Sequence, residues 1–167
     1  MWRGSWTRRG CRHRGLSFAD KLGVDLEASY VVFDFWAQKL LGVFKGKMAV
    51  TIEPHDTRVL LIHPLVNHPQ LAGTSRHITG AYSIKGLAWD GSKNRLRGSS
   101  ETVAGRAYTL WFYVPKGVRV WQARAGTKGN ATAPVQQEMK GNSLRTTFTG
   151  QPEPVEWEVE FHTSAAK

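Results

Sequence analysis

The sequence predicts an all-β fold: an antiparallel β-sandwich made of two small β units packed together. Three observations lead there. Seven Trp, seven Phe and four Tyr enrich the chain in side chains that suit a pleated, half-buried surface. Seventeen Gly and seven Pro supply frequent turns. Apolar residues recur at period two in short runs, and no run has the length and period of a crossover helix. Apolar residues form 41% of the 167, enough for a core in one ordinary domain or two small ones.

Residues 1–15 are expected to be a basic disordered arm. Arg3, Arg8, Arg9, Arg12 and Arg14 are its charges, and residues 1–18 hold no acid. The first β unit is expected over residues 16–66. YVVFDFW, from Tyr30 to Trp36, reads as a mostly buried strand. Asp34 inside it must be paired, hydrogen-bonded or at a sheet edge. A short helix is allowed from Ala37 to Leu41 before Gly42. Lys47 to Ile52 alternates, with Met48, Val50 and Ile52 on one face. EPHD is a turn, and Arg58 to Ile62 is a strand closed by Pro64.

The second unit is expected over residues 67–163, with 164–167 as a tail. Its first part, residues 67–81, is polar and turn-rich and reads as a linker. LAWD and RLRG flank GSKN as a hairpin, with Asp90 and Gly91 in the turn. Tyr108 to Val114 is the strongest central strand. Tyr108, Leu110, Phe112 and Val114 share one face, and Thr109, Trp111 and Tyr113 share the other. Val118 to Ala125 is extended. VEWEVEF puts Val155, Trp157, Val159 and Phe161 on one face and Glu156, Glu158 and Glu160 on the other. The three glutamates are expected to be a solvated face that protects an edge.

Several chemistries find little support. Cys11 is the one cysteine, so no intrachain disulfide or cysteine-based zinc site forms. His55, His63, His68 and His77 are spaced by 8, 5 and 9, which predicts no metal site. No serine sits in a GxSxG elbow. No apolar run approaches a membrane-spanning length, and the basic start lacks the apolar core of a signal peptide. The net charge of +10 invites nucleic acid, but no defined module accompanies the arm. Non-specific phosphate binding by that arm is the remote alternative. No cofactor is expected.

DFWAQKLLGVFKGKMAVTIEPHDTRVLLI resembles the C-terminal β-sandwich region of alpha-galactosidase-like (melibiase-like) glycoside hydrolases. The matching positions are Asp34, Trp36, Lys39, Gly42, Phe44, Pro54 and His55. The continuation through HPQLAGTSRHITGAYSIKGLAWD and YTLWFYVP is similar to an extra region of a bacterial subgroup. Together they cover about residues 16–163. The resemblance implies structural roles for the matching residues, since the family's two catalytic aspartates belong to a (β/α) barrel of more than about 200 residues. This chain has no room for that barrel. The resemblance implies a non-catalytic accessory portion of a glycoside-hydrolase-like protein that packs against that barrel, and a parent protein expected to be secreted or periplasmic.

The alternative is an autonomous carbohydrate-binding module. Trp89, Trp111, Tyr113 and Trp121 are the candidate aromatic platform, and Asp90 and Arg97 the polar contacts. TSRHIT, at residues 74–79, is expected to dock the two units through Thr74, Arg76, His77 and Thr79.

Overall fold

The structure is a computed structural model that describes residues 12–17, 23–76, 83–127 and 134–163. Every regular element among them is a β-strand, and every pairing is antiparallel. No helix there is long and apolar enough to cross a membrane. The strands are β1 (Arg12–Ser17), β2 (Ser29–Asp34), β3 (Lys39–Lys45), β4 (Lys47–Ile52), β5 (Leu60–Pro64), β6 (Gln70–Thr74), β7 (Ile84–Asp90), β8 (Arg95–Ser100), β9 (Ala107–Tyr113), β10 (Val118–Gly126), β11 (Gln136–Lys140), β12 (Ser143–Thr149) and β13 (Val155–Thr163).

They form four layers. An outer sheet has the order β10-β13-β8-β7, and a central sheet the order β11-β12-β9-β6. A small sheet, β3-β2-β5, and a ribbon, β1-β4, complete the set. The layering follows from side-chain alternation. On β9, Tyr108, Leu110 and Phe112 enter the main core with Leu144, Val155, Trp157, Val159 and Phe161. Trp111, one step out of phase, enters a second core with Val31, Phe33, Phe35, Leu61 and Ala72. On β2, Val31 and Phe33 face that second core, while Tyr30 and Val32 turn the other way onto Met48 of the ribbon. Strand β9 of the central sheet and strand β2 of the small sheet are therefore each covered on both faces, which explains their nearly continuous apolar runs.

The two predicted units share one seam. The Phe33 and Trp111 rings are 5.3 Å apart across it. Residues 67–81 are not simply a linker: Gln70–Thr74 is a strand of the central sheet, with Ala72, Gly73 and Thr74 buried. Small side chains let the two sheets close together there, and a polarity count along the chain does not register that.

Other expectations change as well. Ala37–Leu41 is no helix; residues 35–38 form a turn, and β3 starts at Lys39. Gly46, at φ 69°, then turns the chain from the small sheet into the ribbon, a conformation that glycine adopts without strain. The arm expected over 1–15 gives way to strand β1 from Arg12, paired with β4. Cys11 and the remaining arm residues lie outside the described residues, as does the 164–167 tail. Strand β13 lies between β10 and β8, so its glutamates protect no edge. Strands β11 and β12 cover a region to which the sequence reading assigns nothing.

Asp34 is buried and fully partnered. It accepts hydrogen bonds from the Ala37 amide at 2.9 Å and from Arg58 Nη1 at 2.8 Å. That hydrogen bond, reinforced by the Asp34 charge, raises the Arg58 pKa above its ordinary value. The Ala37 bond closes the β2–β3 turn, and Arg58 ties that turn to the segment before β5.

His63 sits in the seam, half-buried, with Nε2 3.2 Å from the Ala72 carbonyl oxygen. Burial lowers its pKa below the ordinary 6.5. Above about pH 6.5 folded and unfolded chains are both neutral at this site, and its contribution to stability is fully present. As pH falls below that value, the unfolded chain takes up the proton first. Stability then drops until the folded-state pKa is reached. Urea midpoints of the parent at about pH 7.5 and about pH 5.5 should show this loss, and His63→Gln should show a smaller one. Equal losses in the two proteins would remove His63 as the cause.

Candidate functional site

The outer face of the outer sheet is built around β13. Val155, Trp157, Val159 and Phe161 point into the main core, so Glu156, Glu158, Glu160 and His162 take the opposite side. The ladder fixes their neighbours. Glu156 lies between Gly126 and Ser99, with Lys85 beyond Ser99. Glu158 lies between Arg124 and Arg97, with Ala88 beyond. Glu160 lies between Gln122 and Arg95, with Asp90 beyond. His162 pairs with Arg119 at the far end.

Trp121 completes this face. The β10 register shifts between Val120 and Gln122, and Trp121 is the extra residue. A bulge re-aims its side chain, and Trp121 is 67% exposed. Its ring lies 4.8 Å from that of His162, tilted by 37°. A groove of about 510 Å³ occupies the other end of the face. Lys85, Arg97, Arg124, Glu156 and Glu158 line it, and Gly86 and Gly126 add no side chain to its walls. Its size falls within the range of small-molecule sites, roughly 300–1,000 Å³.

The charges are unevenly matched. Arg95 holds Glu158 at 2.8 Å and lies 3.7 Å from Asp90. Lys85 pairs with Glu101, and that hydrogen bond lowers the Glu101 pKa. Arg124 is 3.9 Å from Glu158 and donates to Gln122 at 2.8 Å. Among the described residues, Arg97 and Glu156 form no ion pair. The face thus offers a flat aromatic ring, several donors and several acceptors along one sheet. Glu156 and Glu158 rise side by side from one strand, rather than facing each other across a cleft as glycoside hydrolysis requires.

The predicted residues divide sharply. Trp111 is 6% exposed in the seam, and Tyr113 packs beside it, so their shared face is closed and forms no platform. Trp89 is half-buried against the main core; its ring stacks flat on His68 at 4.7 Å and lies 6.2 Å from Phe161. Asp90 is spent on its own turn, accepting from the Ser92 hydroxyl at 2.6 Å and the Ser92 amide at 3.1 Å. The hydroxyl contact leads the causes that lower its pKa. Of that set, Arg97 and Trp121 lie open on the outer face, and Asp90 borders it beside Arg95.

Of TSRHIT, Thr74 ends strand β6 of the central sheet, and Ser75 and Arg76 follow it. Thr74 is buried, and the Ser75 amide donates to the Thr109 carbonyl at 2.9 Å. Arg76 Nη1 donates to the Glu101 carbonyl at 2.5 Å, tying the end of β6 to the loop after β8. This is a tie within the second unit and not a dock between the two. His77 and Thr79 lie outside the described residues.

Among the residues matching the resemblance, Trp36 is 58% exposed in the β2–β3 turn, edge-on to Phe35 at 5.0 Å. Lys39 opens β3, Gly42 takes φ 123° at the β3 bulge, and Phe44 is half-buried. Pro54 and His55 are exposed, with His55 at φ 65°. His55, His63 and His68 have separate surroundings, and no three described His, Cys, Asp or Glu residues converge for a metal.

Lys85, Arg124, Glu156, Glu158 and His162 were not among the predicted site residues. Alternation placed the glutamates on one face, but their cationic neighbours come from strands 30 to 70 residues away in the chain. No protein-family model matches the chain, and no curated protein matches it.

Proposed function

We propose that the chain is a non-catalytic carbohydrate-binding β-sandwich module. The observation that carries this reading is Trp121, held open by a bulge on a broad sheet face whose other end carries a polar groove. A sugar ring presents an apolar face and a rim of hydroxyls. The indole supports the first. The side chains of Arg97, Arg124, Gln122, Glu156 and Glu160 suit the second, as donors and acceptors. The resemblance to alpha-galactosidase-like proteins points toward the same ligand class.

Calorimetric titration with galactose, melibiose and a galactan oligosaccharide tests it. One-site saturation is expected in the parent. Trp121→Ala, a change at an exposed position, should weaken binding by about tenfold. Silence over the panel from a cooperatively melting parent overturns the reading, as does unchanged binding in Trp121→Ala.

The second reading is an accessory domain packed against a catalytic (β/α) barrel. Trp36 favours it, as a large apolar side chain left open in a turn of the small sheet. Co-expression with such a barrel should then protect Trp36 from solvent quenchers, and unchanged quenching counts against it.

A further inference from the structure

We infer that the groove beside Arg97 prefers an acidic oligosaccharide, with a sugar carboxylate seated on the Arg97 guanidinium. This rests on the carbohydrate-binding reading and names the ligand class within it.

The charges of the outer face leave a specific gap. Glu158, the acid between Arg97 and Arg124 in the ladder, is already held by Arg95 at 2.8 Å. Arg124 reaches it only at 3.9 Å. Arg97 has no acidic partner among the described residues, although β13 offers an acid at every second position. Among the described residues, two cations therefore line the groove with their charge largely unspent, against one acid without an ion pair, Glu156. Lys85, the third cation of the lining, is neutralised by Glu101.

Geometry completes the site. Arg97 and Arg124 flank β13 at the same level, so their backbones are about 10 Å apart across two strand spacings. Trp121 lies three residues from Arg124 along β10, about 10 Å away. One sugar stacked on Trp121 does not reach both arginines; a chain of sugars does. A planar carboxylate matches the fork of a guanidinium, which makes Arg97 the better seat than a flexible lysine. Glu156, at the Lys85 end, sets the direction, since it repels a second carboxylate there.

Titration with an oligogalacturonate and with a neutral galactan oligosaccharide of the same length tests this, with a poly-glutamate peptide as a third probe. The acidic sugar is expected to bind at least about tenfold tighter than the neutral one at low salt, and the margin should shrink as salt rises. Arg97→Gln should erase that margin by weakening the acidic sugar far more than the neutral one. Glu156→Gln should widen it. Equal or tighter binding of the neutral sugar overturns the inference but keeps the carbohydrate reading. No binding of either sugar overturns both. Poly-glutamate binding that matches the acidic sugar and ignores Trp121→Ala overturns both in favour of an acidic peptide.

Discussion

Trp111→Ala is expected to lower the free energy of unfolding by about 3–5 kcal/mol and to leave any surface ligand site untouched in the fraction that stays folded. The ring is 6% exposed and fills the seam between the central and small sheets. It meets Phe33 at 5.3 Å and shares a core with Val31, Phe35, Leu61 and Ala72. Removing it leaves a void that two separate sheets border. Neither can close it without giving up its packing on the next layer, since Phe112 and Val32, beside these residues in sequence, belong to other cores. For a chain of this length, each kcal/mol lowers the melting temperature by about 2–4 °C. Urea unfolding followed by tryptophan fluorescence and by far-ultraviolet dichroism measures the effect. A loss below about 1 kcal/mol would mean that the ring does not join the two sheets. The distinction matters for ligand assays: lost binding in Trp111→Ala reports unfolding, and lost binding in Trp121→Ala reports the surface.

Gly73→Ala should be the most damaging single-methyl addition in the seam, at about 1–3 kcal/mol or more. A Cβ at Gly73 would sit 2.5 Å from Phe33 Cε1 and 2.9 Å from Cγ. Phe33 is fully buried, so its ring has nowhere to retreat. Gly73 needs no left-handed backbone, and the conflict is one of space alone. That makes it reversible by the partner. Phe33→Leu shortens the ring side and should cost stability by itself, yet the double variant should be more stable than the two single losses added together. Strict additivity would show that Gly73 and Phe33 do not meet. Gly98 offers an independent comparison in the main core, where a Cβ would lie 2.6 Å from Trp157 Cζ2.

How much of this was legible in the sequence depends on the range of the signal. VEWEVEF announced its strand and both its faces, because alternation is local and repeats within seven residues. LAWDGSKNRLRG announced its hairpin, and the structure places a turn at residues 91–94 between β7 and β8. Tyr108 to Val114 read as a strand with two apolar faces; the strand runs Ala107–Tyr113, and both faces are covered. Gln70–Thr74 did not read as a strand, because its buried positions are Ala72, Gly73 and Thr74, selected for closeness more than for apolar area. Gln136–Lys140 gave no signal either; it is exposed at every position on a sheet edge and buries no face.

The sequence by itself determined that the chain is all-β, where its strongest strands run and which of their residues share a face. Only the tertiary structure decided which faces are closed. Trp111 and Trp121 are both aromatic residues in apolar-rich strands, and their local sequences do not separate them. One is sealed because β2 lies across it, and the other is open because a bulge lifts it from an edge strand. The same holds for Arg97, whose neighbours across the sheet are Glu158 and then Arg124. Alternation is set by the pleat of one strand, whereas burial and charge pairing are set by partners far along the chain.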